Sequence, residues 1–178
     1  MAVDLVERIT TAPRLRYQGL GYRQQAPTYD PLSGEGARIH GGRFNPPDSF
    51  PVLYLCSTSG CAAAEFMRTT QRHPLGTAAF LPRVLYRYDV HLTAVLDLTD
   101  EGTLEHLGLE RGALVDDDVT VPGQIGEVAH QFGYQAVRDA SAAGVDDVIA
   151  VLVGNLQTGV LMPSVEATWN SLDDVPLL

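Results

Sequence analysis

A mixed α+β fold is what this sequence predicts, on three observations. Residues 148–153 are continuously apolar over a strand's length, as in a strand buried on both faces. Residues 84–90 alternate apolar and polar, as a half-buried strand does. Upstream of both lies a run of good helix formers, Ala62, Ala63, Ala64, Glu65 and Met67. Strands in the middle and at the end of a chain, with helices between them, make a mixed domain.

Taken in order, residues 26–50 predict irregular structure around a site, because Gly34, Gly36, Gly41 and Gly42 are flanked by Pro27, Pro31, Pro46 and Pro47. Residues 52–56 predict a short buried strand. Ser57 or Thr58 then caps a helix running to about Gln71. Two strands follow, over 84–90 and 95–98. Short helices fit 100–107, with Thr99 as cap, and 122–132, where Pro122 suits the first turn and Ile125, Val128, Ala129 and Phe132 recur at helical spacing. The 148–153 run is a central strand. With 178 residues, no internal repeat and no long linker, the whole chain predicts one domain.

Composition excludes several function classes. All 12 basic residues are arginine, so neither Schiff-base lysine chemistry nor a Walker phosphate loop is available. The net charge of −10 is concentrated after residue 100, where two arginines face thirteen acids. Such a body disfavours direct nucleic-acid binding. Its acidic half reads either as a solubilising surface or as a contact for a basic partner. The arginines of the first half are then the candidates for gripping an anion. Cys56 and Cys61 are too few for a disulfide framework, no secretory leader opens the sequence, and no apolar run reaches the roughly 18 residues of a membrane span, so a cytoplasmic setting is expected. The five histidines and two cysteines show no metal-ligand spacing, and no metal is expected. No Gly-x-Ser-x-Gly elbow exists, and both thiols read as small core hydrophobes.

The informative residues surround the glycine-rich stretch. Gly41 and Gly42 let backbone approach a ligand, and Arg43 offers a planar fork of donors suited to a diphosphate, with Arg23 and Arg38 able to share that load. Tyr54 sets an amphipathic face in an apolar strand, and Glu65 lies on the helix that follows. Arginine, aromatic ring and carboxylate together meet the needs of glycosidic C–N cleavage: an anion grip, ring stacking, and a negative charge for an oxocarbenium-like transition state. Each residue also has a structural explanation. Arg43 can cap carbonyls, Tyr54 can fill core, and Glu65 can be a solvated helix residue. On composition and spacing alone, the chain reads as an anion-binding α+β domain.

These same residues resemble the RES-domain family, the toxin half of bacterial toxin–antitoxin pairs. The resemblance spans nearly the whole chain: Tyr22-Arg23, the block from Ser33 to Arg38, Gly41 to Pro47, the strand around Tyr54, the helix around Glu65, and Leu96-Asp97-Leu98. An arginine, a tyrosine 11 residues on and a glutamate 11 further make it specific. It implies catalytic Arg43, Tyr54, Glu65 and Ser141, with Tyr22, Arg23, Arg38, Asn45 and Thr120 binding substrate. The family serine usually follows a proline; here Ala140 precedes Ser141, and Thr120 is a second candidate hydroxyl. Ser164 follows a proline but lies too far along.

The resemblance further implies a fold like the ADP-ribosyltransferases, a split mixed sheet with a ligand cleft, and a single RES-like domain over 1–178 with residues 1–20 as a peripheral extension. It implies an NAD+-degrading toxin that cleaves the nicotinamide–ribose bond by hydrolysis or phosphorolysis. NAD+ is then substrate, no cofactor is needed, and inorganic phosphate is the potential co-substrate. The alternatives are ADP-ribose transfer to a macromolecule and a catalytically silent antitoxin-binding module. The implied partner is an Xre-type helix-turn-helix antitoxin that blocks the active site, with a homodimer or larger toxin–antitoxin assembly as the oligomeric form.

Overall fold

The computed structural model describes residues 2–115, 118–158 and 160–176. Its elements are α1 (Ala2–Thr11), β1 (Leu15–Gln25), α2 (Glu35–His40), β2 (Val52–Cys56), α3 (Ser59–Gln71), β3 (Arg83–Asp97), α4 (Glu101–Leu107), α5 (Gly112–Val115), α6 (Thr120–Gln131), β4 (Ala136–Ala140), β5 (Asp147–Leu152) and β6 (Leu161–Trp169), with short 3-10 turns between some of them.

All six strands join one sheet in the order β1-β2-β5-β4-β3-β6, and β1 also pairs with β3. That last pairing closes the sheet on itself, where a split sheet is expected from the resemblance. β3 makes the closure possible by its length. One edge pairs with β1 from Val84 to Val95, while the other carries β6 from Arg83 to Val90 and β4, in parallel, from Val95 to Asp97. The two strands expected over 84–90 and 95–98 are therefore one, because the polar His91 and Thr93 point outward while Leu92 stays buried and the ladder to β1 continues.

Alternation gives the sheet two apolar faces. Leu53, Leu55, Ile149, Val151, Ala136 and Val90 fill the inside of the closure. Val52, Leu152, Ala150 and Val137 face the helices, where they meet Ile9, Phe44, Leu104, Ile125 and Ala129. A strand segment that buries both faces has no polar position to spend, which is why β5 reads as an unbroken apolar run after Asp147.

Residues 1–20 are expected to be peripheral; the described ones among them, 2–20, pack into the domain. Ile9 is fully buried, their carbonyl groups at Ile9 and Ala12 accept from the buried Tyr134 hydroxyl at 2.8 and 3.1 Å, and β1 begins at Leu15. The cap of α4 is Asp100, one residue past the expected Thr99. Asp100 accepts from the Thr103 N–H at 2.8 Å, while the Thr99 hydroxyl is committed to Asp97. Helix α6 starts at Thr120, so Pro122 sits in its first turn. The stretch expected to be irregular, 26–50, holds one short helix, α2. Among the described residues, no helix is long and apolar enough to cross a membrane.

Candidate active site

The cleft floor follows from strand register. Tyr22 of β1 pairs with Cys56 of β2, Cys56 with Val148 of β5, and Val148 with Asp139 of β4. All four line one cleft of about 570 Å³. Arg23, Arg43, Tyr54, Glu65 and Arg68 line it too. That volume is within the range of small-molecule sites.

Arg43 is presented by a pinned loop. Gly41, at φ 75°, ends α2, and Gly42 and Asn45 form a tight bridge between them. Phe44 is fully buried, and its carbonyl packs so closely on α6 that a Cβ at Gly126 would run into it. Burying a phenylalanine contributes about 1.5–3 kcal/mol, so this residue anchors the loop firmly. Asn45 donates to the Ala37 carbonyl at 2.7 Å. Tyr54 completes the latch: its hydroxyl accepts from the Phe44 N–H and donates to Asn45 Oδ1, each at 2.8 Å. Burial pushes the Tyr54 phenol well above its ordinary value, so it stays protonated as this donor. Its ring lies against Gly42, where a Cβ would fall 2.5 Å from the hydroxyl. Only glycine allows that approach.

Arg23 spans β1 and β2 from below, donating to the Tyr54 carbonyl at 3.2 Å and to Gln25 at 3.3 Å. Burial lowers its pKa from the usual guanidinium value. Arg43 lies near Asp139, with Nε 3.9 Å from Oδ2. The Asp139 side chain is only 1% exposed, and its Oδ2 has no hydrogen-bond partner. Burial raises this carboxyl to about 6, against the lowering effects of the Ala140 N–H, Arg43 and Arg111.

Glu65 and Ser141 meet because the start of α3 is stapled to the β4–β5 turn. The Thr58 hydroxyl donates to Asp146 at 2.7 Å and accepts from the Cys61 N–H at 3.1 Å, and the Ser57 N–H donates to the Asp147 carbonyl at 2.9 Å. The turn is tight, with Gly144 at φ 75° and Asp146 at φ 51°. It sets the Ser141 hydroxyl to donate to Glu65 Oε1 at 2.6 Å, and the Ala143 N–H adds a bond to the same oxygen at 3.2 Å. Glu65 Oε2 lies 4.0 Å from Arg68 Nη1.

The structure thus gathers Tyr22, Arg23, Arg43, Tyr54 and Glu65 around one cleft, with Ser141 held to Glu65. Asn45 is buried behind Tyr54 and also borders a neighbouring cavity of about 420 Å³. Thr120 lines that neighbouring cavity, which Glu65 does not line. Arg38 is not brought to the cleft; it pairs at the surface with Glu35 at 2.7 Å. Sequence reasoning missed Asp139 and Arg68. Both carry a faint signal: Arg68 follows Glu65 by one helical turn, and Asp139, two residues after the buried Val137, falls on the same face of its strand. Among the described residues, no group of three His, Cys, Asp or Glu is placed to hold a metal ion.

A cleft with cationic side chains and an oriented carboxylate, on a closed mixed sheet, can grip an anionic ligand and stabilise a cation forming within it. The RES domain matches residues 12–171, and the chain belongs to the RES-domain family. It is 33% identical to NAD(+) phosphorylase MbcT of Mycobacterium tuberculosis over 159 residues, covering 88% of this chain and 86% of that relative. It is 34% identical over 142 residues to another protein of that organism, Probable NAD(+) phosphorylase Rv3189, covering 79% of this chain and 67% of the relative. The fold is similar to a chain in the crystal structure of the M. tuberculosis MbcT–MbcA toxin–antitoxin complex, with a TM-score of 0.80, 30% identity, and 94% and 92% of the two chains covered.

Proposed function

We propose that this protein is the toxin of a toxin–antitoxin pair and that it degrades NAD+ by phosphorolysis of the nicotinamide–ribose bond. The observation that carries the reading is the cleft itself, which sets Arg43 and the Ser141-oriented Glu65 around one space large enough for a bent dinucleotide. The two relatives named as NAD(+) phosphorylases support the substrate and the acceptor.

Arg43, steadied by the Tyr54 latch and aided by Arg23, binds the diphosphate. Tyr22 and the Tyr54 ring pack on the ribose and nicotinamide. Nicotinamide leaves as a neutral molecule from a cationic ring, so it needs little acid catalysis. The main task is to hold the ribosyl cation as it forms, and the Glu65 carboxylate does this from a position set by Ser141 and the Ala143 N–H. The arginine-and-glutamate cleft on a mixed sheet also supports kinship with the ADP-ribosyltransferase fold. The solved toxin–antitoxin complex supports a cognate antitoxin, which on this reading is a helix-turn-helix protein of Xre type that covers the cleft in the cytoplasm.

Incubation of purified protein with NAD+, with and without phosphate, tests the proposal. Release of nicotinamide together with ADP-ribose 1-phosphate is the expected result. An intact dinucleotide pool after prolonged incubation, or a Glu65→Gln variant at wild-type rate, overturns it.

A further inference from the structure

We infer that Arg68 and Thr69 of α3 form the seat for the attacking inorganic phosphate, distinct from the arginines that hold the dinucleotide; the inference rests on the phosphorolytic reading above. Phosphorolysis brings two separate anions into one cleft, the diphosphate of NAD+ and the free phosphate. Each needs cationic donors, and the second must stand beside the ribose carbon under attack.

The cleft supplies cations in two places. Arg43 lies beside Asp139 at the sheet end, with Arg23 tied to the Tyr54 carbonyl beneath the latch loop. Arg68 lies on the helix, with Nη1 4.0 Å from Glu65 Oε2, and its side chain is 36% exposed. Thr69 follows it on the same cleft wall and is exposed. The reacting carbon must sit against Glu65, since that carboxylate stabilises the cation forming there. A phosphate approaching that carbon is repelled by Glu65, because a dianion nears a monoanion in a partly desolvated space. Water, being neutral, meets no such barrier. A guanidinium one helical turn from Glu65 offsets the repulsion and offers donors in a fork that matches phosphate oxygens. Phosphate can then compete with the far more abundant water.

The step balances. A phosphate oxygen forms the new bond to the ribose carbon as the C–N bond breaks. Its electron pair returns to the ring nitrogen, converting the pyridinium to neutral nicotinamide. Hydrogen phosphate keeps its proton in the ADP-ribose 1-phosphate product, so no further reactant is consumed.

The structural alternative is that Arg68 makes an ordinary surface pair with Glu65, of a kind that contributes little. Initial rates of nicotinamide release over a grid of NAD+ and phosphate concentrations separate the two. For Arg68→Gln, the expected result is a KM for phosphate raised tenfold or more, with the KM for NAD+ moving less than threefold. Arg68→Lys should recover part of the phosphate KM, and melting curves of both variants should match the wild type. An unchanged phosphate KM, or an equal rise in both KM values, overturns the inference. Wild-type cleavage that is indifferent to phosphate also overturns it, while leaving NAD+ degradation standing. Wild-type protein that releases no nicotinamide at all removes the reading on which it rests.

Discussion

The Ser141 hydroxyl donates to Glu65 Oε1 at 2.6 Å, across 76 residues of sequence. The bond holds the carboxylate at one oxygen and leaves its other oxygen toward Arg68, so the charge has a defined position before any ligand arrives. Preorganisation of this kind is what makes a carboxylate effective against a developing cation.

Ser141→Ala should therefore lower NAD+ turnover per folded molecule, beyond any loss of stability. Hydrogen bonds to charged groups contribute about 1.5–3 kcal/mol, which corresponds to a loss of roughly ten- to hundredfold. Thr120→Ala should stay within about twofold, because Thr120 borders the neighbouring cavity. Nicotinamide release per folded molecule distinguishes the two hydroxyls, and the opposite ranking would transfer the role to Thr120.

Tyr54→Phe should act first on stability. It removes the acceptor of the Phe44 N–H and the donor to Asn45, leaving buried polar groups without partners at about 1–3 kcal/mol. Urea unfolding reads this directly. Asn45→Ala should cost a similar amount, and the double variant should cost clearly less than the two combined, since both residues serve one latch. Full additivity would deny the latch.

Arg43→Ala should spare the fold and lower catalytic efficiency about 30-fold to several thousand-fold, as when a charge-assisted contact to a bound anion is removed. Glu65→Gln should act mainly on kcat. Arg38→Ala should change neither by more than about twofold, because Arg38 is spent on an exposed pair with Glu35. Steady-state kinetics on the three variants checks the ranking. A catalytic defect in the Arg38 variant would bring that arginine back to the ligand.

Asp139 predicts a pH signature. Its carboxyl lies at about 6 in the fold against 3.8 as a free side chain, so the folded state binds its proton more tightly. The sign follows from linkage: this group's contribution is favourable below about pH 4 and is lost as pH rises through about 6. Asp139→Asn, which cannot ionise, should therefore raise the unfolding free energy at pH 7.5 by an amount on the order of 3 kcal/mol, and the gain should vanish near pH 4. A gain independent of pH would assign the effect to packing instead.

The chain's local chemistry was legible because it is written in short-range pattern. The apolar run of β5, a cap at Ser57 or Thr58, the helix formers around Glu65, and the glycines before Arg43 each follow from neighbouring residues; the structure puts the cap on Thr58 and the strand at Asp147–Leu152, one residue ahead of the run. The cleft residues Arg43, Tyr54 and Glu65 were candidates on similar grounds, and the resemblance to the RES-domain family singled them out. β1 was not legible, because Gly19, Gly21 and its polar residues blur the alternation; its strand character comes from pairing with β3 nearly seventy residues away. Strand propensity of that kind is a property of context. Nothing local tells that Tyr54 latches the Arg43 loop, that Arg38 faces solvent, or that Asp139 lies buried in the floor. Those depend on register: the ladder Tyr22, Cys56, Val148, Asp139 brings four strands into one row, and a slip of one residue would turn every one of them to the opposite face. Sequence alone determined which groups were available for chemistry, since residue types and caps act over a few bonds. Tertiary structure decided which of them meet, since hydrogen-bonded strands and the stapled turn at Asp146 set distances that no local rule contains.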